Sequence, residues 1–209
     1  DRMRLNIQSS QAEIRQLAYW DRLTGLPNRA QFREVLQSHL ADAQDETLSV
    51  VMLDLDRFKH INDVLGYAFG DRVLTAVGQR LTRLADTEDL MVARIGGGQF
   101  ALMLAGRDAP AAIDLIRKVT EALQDPVTLD GQAVDISAAM GVACWPAHAQ
   151  QADALLGHAE VAMYAAKRKS VGMLVYEPTL DSGSAQTLSL LSERSEEHTS
   201  ELQSPECIS

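Results

Sequence analysis

Residues 90–106 have the sequence LMVARIGGGQFALMLAG, in which two apolar runs flank three consecutive glycines. Glycine lacks a Cβ atom, so it tolerates positive φ values and the close approach of another molecule to the backbone. Two apolar runs joined by such a turn are typical of a β-hairpin. The segment therefore predicts a hairpin with Gly96, Gly97 and Gly98 at its turn.

The sequence on either side of this hairpin predicts one domain of helices packed on a sheet. LSVVMLDLD at 48–56 is an apolar run typical of a buried strand, and it ends in acidic residues. Asn28 is placed to cap a helix over 30–42, and Pro110 suits the first turn of another helix. The helix that begins at Pro110 is predicted to extend to residue 124. Further helices are predicted over 58–66, 70–85 and 152–169, and further strands over 134–145 and 173–176.

Composition excludes several classes of protein. The 209 residues are 46% hydrophobic and 23% charged, which is ordinary for a globular domain and excludes collagen-like and wholly disordered chains. Neither a signal peptide nor an apolar run of the roughly 20 residues needed to span a membrane is present in this sequence. The two cysteines, Cys144 and Cys207, are too few for a disulfide scaffold, so we expect a cytoplasmic location. The net charge of -10 argues against nucleic acid as a partner.

Both ends of the chain have unusual features. The first residue is Asp1 rather than Met, and residues 1–19 carry a weak helical pattern, so we expect a truncated linker helix from a longer protein. At the other end, residues 194–204 match the codon-by-codon translation of a common sequencing adapter, and 205–209 fit the bases that follow it. We expect 194–209 to be an artefact, with a disordered tail as the alternative; without it the net charge of -10 becomes -7, since one Arg and four Glu are lost.

Four motifs together resemble the GGDEF family, the diguanylate cyclases that condense two GTP molecules into cyclic di-GMP. They are DRLTGLPNR at 21–29, DLDRFKHINDVLGYAFGD at 54–71, RIGGGQF at 94–100 and YAAKRK at 164–169, and they occur in the family's order and spacing. The resemblance covers residues 20–177. It implies an α/β fold with a central, mostly antiparallel five-stranded sheet flanked by helices, similar to nucleotide cyclases and polymerase palm domains.

The resemblance also implies a nucleotide site with Asp54 as its metal ligand. The implied nucleotide-binding residues are Phe58, Lys59, Asn62, Asp71, Gly96, Gly97 and Lys167. Phe58 and Lys59 correspond to the triphosphate cradle, and Asn62 and Asp71 to the pair that hydrogen-bonds the guanine edge. Capping of adjacent helices is the structural alternative for Asn62 and Asp71, and Asp56 suits a turn as well as a chemical role.

The chain departs from the family at the glycine-rich turn. The family signature is Gly-Gly-Asp/Glu-Glu-Phe, but Gly98 and Gln99 occupy the two acidic positions, so no catalytic residue is intact there. Glycine offers no ligand and glutamine is a weaker partner for Mg²⁺ than a carboxylate, so we expect Mg²⁺ binding to be weak or lost. The family's product-inhibition pair is replaced by Thr87 and Leu90, and a basic residue that follows the last long helix is replaced by Val171.

The segment after residue 177 resembles the connector that leads into an EAL domain, the cyclic di-GMP phosphodiesterase module. We therefore expect a linker helix at 1–19, a GGDEF domain at 20–177, a connector at 178–193 to a lost EAL domain, and the adapter-derived tail. The expected partners are GTP, that EAL domain and a second GGDEF copy, with no membrane segment in this fragment. Three functions stay open: a degenerate GTP-binding or structural module, an active diguanylate cyclase, and a scaffold without nucleotide affinity.

Overall fold

The computed structural model describes residues 16–42 and 46–181. A short helical segment at 16–19 precedes the first complete element. The helices and strands are α1 Arg29–Asp42, β1 Leu48–Leu55, α2 Phe58–Leu65, α3 Tyr67–Glu88, β2 Met91–Gly96, β3 Gln99–Ala105, α4 Ala109–Gln124, β4 Val127–Leu129, β5 Gln132–Val134, β6 Ala138–Trp145, α5 Ala152–Arg168 and β7 Met173–Val175. The described residues up to Tyr176 form one compact unit, and a second unit begins at Glu177, where the described residues make a helical turn.

The main sheet has five strands in the order β2-β3-β1-β6-β7. Every neighbouring pair is antiparallel except β6 and β7, which run parallel. This confirms the prediction of a mostly antiparallel five-stranded sheet flanked by helices, and it confirms the hairpin, since β2 and β3 pair across the glycine turn. The apolar run at 48–55 is the central strand because only a position with neighbours on both sides buries such a sequence completely.

Helices cover both faces of the sheet. Alternate side chains of β1, at Val51, Leu53 and Leu55, join the apolar residues of α3 and α4 in one core cluster. The other face carries α5, which lies very close to β6. A Cβ atom added at Gly141 in β6 would come within 2.1 Å of the amide nitrogen of Met163 in α5. Glycine at this position therefore sets how closely α5 approaches the sheet.

The helix ends follow from local sequence signals. The Asn28 Oδ1 atom accepts a 3.1 Å hydrogen bond from the backbone N–H of Gln31, which confirms the predicted cap of α1. Helix α4 begins at Ala109 with Pro110 in its first turn, as predicted. Its C-terminal end is held by the Arg80 guanidinium of α3, which donates to the backbone carbonyls of Asp125 at 2.5 Å and Pro126 at 3.2 Å.

The predicted strand over 134–145 is wrong at its beginning. Residue Val134 belongs to a separate two-stranded hairpin, β4–β5, and β6 begins only at Ala138. The hairpin turns at Asp130 and Gly131, whose φ values of 52° and 78° are those of an Asp-Gly turn. Helix α3 likewise begins at Tyr67 rather than at Gly70, because Gly66, with φ 89°, separates it from α2 without a longer loop.

Some expectations fall on residues outside the described part of the chain. Of the expected linker helix at 1–19, only residues 16–19 are described, and they are helical. The expected connector is described only as far as Asp181, and residues 194–209 lie entirely outside the described range. Within the described residues, none of the helices has the length and apolar character required to cross a bilayer.

Candidate functional site

The candidate site lies where β1 ends beside the β2–β3 turn. The antiparallel register places Asp54 of β1 directly opposite Gln99 of β3. The backbone N–H of Leu55 donates a 3.0 Å hydrogen bond to the carbonyl oxygen of Gly98, which fastens the turn to the end of β1. The structure therefore brings together the expected metal ligand, Asp54, and both altered signature positions.

The last turns of α5 cover the Asp54 and Gln99 side chains. The ammonium of Lys167 donates a 2.8 Å hydrogen bond to the Asp54 carboxylate, whose side chain is only 14% exposed. The Gln99 amide nitrogen donates a 3.0 Å hydrogen bond to the Tyr164 hydroxyl. Tyr164 and Lys167 are three residues apart and so lie on the same side of α5. One face of this helix thus supplies a polar partner to each of the two positions.

The donor atoms at this position do not fit a divalent cation. Mg²⁺ prefers several oxygen ligands, mainly carboxylates, in octahedral geometry. Asp54 is a single carboxylate already paired with an ammonium, and Gln99 contributes at most one neutral oxygen. Across residues 16–42 and 46–181 there is also no group of three or more His, Cys, Asp and Glu residues arranged to hold a metal.

The space around Gly98 is filled by Phe58 from the start of α2. Gly98 is buried, and a Cβ atom added there would lie 3.1 Å from Cβ and Cγ of Phe58. That is tighter than most real contacts of a Cβ atom. Any larger residue at position 98 therefore requires Phe58, including its Cβ atom, to move by a few tenths of an ångström.

Where α2 contacts α3, one buried hydrogen-bond acceptor has no partner among the described residues. The Oδ1 atom of Asn62 is buried and makes no hydrogen bond with any described residue. It lies against the backbone of Gly70, where an added Cβ atom would come within 1.8 Å. The capping alternative for Asn62 therefore fails for this oxygen, and Asp71 lies inside α3 rather than at its N-cap, which is Gly66. Asp71 itself is exposed, one residue beyond Gly70.

The exposed glycine turn is held in place from behind by Arg94. Gly96 and Gly97 adopt φ values of 153° and 51°, so a larger side chain would strain the turn. The Arg94 guanidinium donates to the Gly97 carbonyl oxygen at 3.0 Å and to the Asp21 carboxylate at 2.8 Å. Burial acts to raise the pKa of Asp21, but hydrogen bonds from Thr24 and the charge of Arg94 outweigh it, so this pKa lies below its usual value.

The remaining expected site residues differ in their surroundings. Lys59 is exposed in the first turn of α2, where it is free to meet an anionic ligand. Asp56 accepts a 2.7 Å hydrogen bond from the Ser137 hydroxyl, and its backbone N–H donates to the Ser137 carbonyl oxygen at 2.8 Å. Both bonds join the end of β1 to the segment before β6, which favours the structural role for Asp56.

Three residues of the site were not assigned roles from the sequence. Asp21, Arg94 and Tyr164 all belong to the four quoted motifs, and that membership was the available signal. Their roles depend on contacts that join distant segments: Arg94 pairs with a residue 73 positions away, and Tyr164 with one 65 positions away. Spacing along the chain does not reveal such partners.

Comparison with known proteins identifies relatives over most of the chain. The family described as "Diguanylate cyclase, GGDEF domain" matches residues 18–172. Diguanylate cyclase TpbB of Pseudomonas aeruginosa is 42% identical over 170 residues, which cover 79% of this chain and 39% of TpbB. The bifunctional diguanylate cyclase/cyclic di-GMP phosphodiesterase MucR of the same species is 33% identical over 182 residues, which cover 86% of this chain and 26% of MucR.

Solved structures extend the similarity to the fold. The crystal structure of the GGDEF domain of TpbB (YfiN) from Pseudomonas aeruginosa superposes with a TM-score of 0.71 at 41% identity. It covers 74% of this chain and 98% of that domain. The chain thus matches nearly the whole of a solved domain, while it spans about two fifths or less of the length of the two curated relatives above.

Proposed function

The chain belongs to the GGDEF family of diguanylate cyclase domains, and from that premise we propose that it is a domain of cyclic di-GMP signalling that binds GTP without condensing it. The proposal has two parts, nucleotide binding and loss of turnover, and different residues support each part.

The buried and unpartnered Oδ1 atom of Asn62 is the observation that carries nucleotide binding. Burying a carbonyl oxygen without a hydrogen bond costs about 1–3 kcal/mol, and a ligand that donates to the oxygen would recover that cost. Guanine presents an N–H and an amino group on its Watson–Crick edge, and an amide oxygen beside a carboxylate can accept from both. Asn62 supplies the amide oxygen and the neighbouring Asp71 supplies the carboxylate. Gly70 has no Cβ atom, so the Asn62 amide fits against its backbone.

Loss of turnover is supported by the residues at the end of β1. Joining two nucleoside triphosphates requires the charge that develops on the transferring phosphoryl group to be neutralised, which metal ions held by carboxylates achieve. Here Gly98 supplies no ligand, Gln99 supplies an amide bonded to Tyr164, and the Asp54 carboxylate is paired with Lys167. Each of these three features disfavours the metal site that an active cyclase requires.

Two partners are proposed for the parent protein, and one relative supports the first of them. MucR carries a diguanylate cyclase and a cyclic di-GMP phosphodiesterase in one chain, which favours an EAL domain after this one. A second GGDEF copy, joined through the segment before residue 20, is the other proposed partner. In this proposal, both partners respond to the binding of GTP by this domain and not to cyclic di-GMP made by it.

Titration with a fluorescent GTP analogue, combined with an assay for cyclic di-GMP, tests the proposal. We expect saturable binding without product. Product formation at a rate typical of active diguanylate cyclases would support the enzyme alternative, and neither binding nor product would support the scaffold alternative.

Asn62→Leu separates binding from folding. We expect this variant to lose GTP affinity while its free energy of unfolding stays level or rises, because the buried unpaired oxygen is removed together with the binding group. Gln79→Leu, an exposed amide on α3, serves as the matched control and should bind GTP like the parent chain. Unchanged GTP affinity in Asn62→Leu would contradict the assignment of the guanine site.

Restoring the acidic signature tests the loss of turnover. The double variant Gly98→Asp, Gln99→Glu should gain Mg²⁺ affinity and some cyclase activity, provided that Phe58 yields the space that a side chain at 98 needs. A folded double variant that gains Mg²⁺ affinity but forms no product would show that other altered positions, Val171 among them, also limit turnover.

A further inference from the structure

Two hydrogen bonds join the last turns of α5 to the positions where the family carries metal ligands. Lys167 donates to Asp54 at 2.8 Å, and Gln99 donates to the Tyr164 hydroxyl at 3.0 Å. A cationic side chain therefore occupies the coordination side of the one remaining carboxylate. The neighbouring glutamine directs its amide nitrogen, rather than an oxygen, toward the helix.

The ammonium of Lys167 is held by a rigid part of the fold. The preceding turn of α5 is pressed against β6 at Gly141, with backbone atoms of Ala159, Ala162 and Met163 all within 3 Å of where a Cβ atom would lie. Ala165 and Ala166, which flank this contact on the way to Lys167, are fully buried. The helix cannot swing away from the sheet without breaking this packing, so Lys167 stays within reach of Asp54.

The charges at this point are already balanced. Asp54 contributes one negative charge and Lys167 one positive charge, and Gln99 and Tyr164 are neutral partners of each other. A divalent cation that bound Asp54 would have to displace the ammonium or approach it closely, and like charges at such distances repel strongly in a partly buried site. A triphosphate is attracted by the ammonium and repelled by the carboxylate, so the neutral pair presents no net charge of either sign to it.

We propose that Lys167 is the resident counter-ion of this site, so that GTP binds here without a divalent cation. The inference rests on the proposed function, because it concerns how the triphosphate of bound GTP is neutralised. An ammonium has three N–H donors, so that Lys167 can keep its bond to Asp54 and donate to phosphate oxygens as well. Lys59 in the first turn of α2 provides a second, exposed cation.

The test compares GTP binding to the purified 209-residue chain with excess MgCl₂ and with excess EDTA, using a fluorescent, non-hydrolysable GTP analogue. We expect the two dissociation constants to agree within about twofold, because the protein adds no metal ligand to the Mg²⁺ that the triphosphate itself carries in MgCl₂. For Lys167→Met we expect affinity in EDTA to fall about tenfold and to recover in MgCl₂, because Asp54 is then available to a cation.

Two further variants complete the comparison. Lys169→Met removes an exposed positive charge from the same helix end without touching Asp54, and it should behave like the parent chain. Asp54→Asn combined with Lys167→Met removes both members of the pair, so MgCl₂ should no longer restore affinity.

The outcomes separate the inference from the proposed function. GTP binding to the parent chain that falls about tenfold or more in EDTA overturns the counter-ion role and leaves the proposed function standing. Equal metal dependence in Lys167→Met and Lys169→Met also overturns it. Absence of GTP binding under both conditions refutes the proposed function itself, and the inference with it.

Discussion

Replacing Gly141 by alanine should strongly destabilise the domain. The added Cβ atom would lie 2.1 Å from the amide nitrogen of Met163 and 2.2 Å from the carbonyl oxygen of Ala159. Both obstacles are backbone atoms of α5, so no side-chain rotation can relieve the contact. To restore an ordinary van der Waals distance of 3.4 Å, the helix would have to recede from β6 by about 1.3 Å.

The cost follows from the packing of the two elements. Overfilling a close-packed core by one methyl group costs about 1–3 kcal/mol, and an obstacle made of backbone places this site at about 3 kcal/mol. For a domain of this size that corresponds to a fall in Tm of about 6–12 °C. Because α5 carries Lys167, its displacement should also separate the ammonium from Asp54.

The assay is thermal and urea denaturation followed by circular dichroism, with Gly157→Ala as the matched control. Gly157 lies inside α5, and an added Cβ atom there meets nothing within 4 Å. Alanine should therefore stabilise this position by about 0.5–1 kcal/mol through its better helix propensity. A loss below about 0.5 kcal/mol in Gly141→Ala, or an equal loss in both variants, would refute the role assigned to close packing.

Three other variants address the remaining contacts. Asp21→Asn should cost about 2 kcal/mol of unfolding free energy at neutral pH. The folded-state pKa of Asp21 is lowered, so the carboxylate contributes its full stabilisation above an unfolded-state pKa of about 3.9. The difference in unfolding free energy between Asp21→Asn and the parent chain should vanish as the pH falls below the folded-state pKa. A constant difference down to about pH 2 would contradict this. Arg80→Met should cost about 1 kcal/mol in urea denaturation by freeing the carbonyls at the end of α4, with partial recovery in Arg80→Lys; no loss in Arg80→Met would contradict the cap. Gly70→Ala should push the Asn62 amide aside and lower GTP affinity about tenfold in the fluorescence titration, and an unaltered affinity would argue against Asn62 as the guanine contact.

The sheet was predictable because its strands are strong local patterns. The run at 48–55 and the two runs around the glycine turn are apolar and bounded by polar or glycine residues, and all three are strands of the main sheet. The β4–β5 hairpin was missed although its Asp130-Gly131 turn is a recognised signal, because its strands have only three residues each. Such short strands show no periodicity.

For the candidate site, the motifs predict a set of residues but not how their side chains are arranged. Motif order indicated Asp54, Asn62 and Asp71, and direct comparison with the family signature exposed Gly98 and Gln99. The partner of each side chain could not be predicted, because a motif specifies neighbours along the chain and not across it. Two features depend on how α2 packs against the rest of the fold: the unpartnered oxygen of Asn62 and the contact of Phe58 with Gly98.

The sequence by itself determined the family and the strands of the central sheet, since both are encoded in adjacent residues, and it has Gly98 and Gln99 where the resemblance implies acids. Only the tertiary structure decided what replaces those acids. It places Lys167 on Asp54 across 113 residues and Tyr164 on Gln99 across 65. The physical reason is the close approach of α5 to β6 at Gly141, which positions the last turns of the helix over the end of β1.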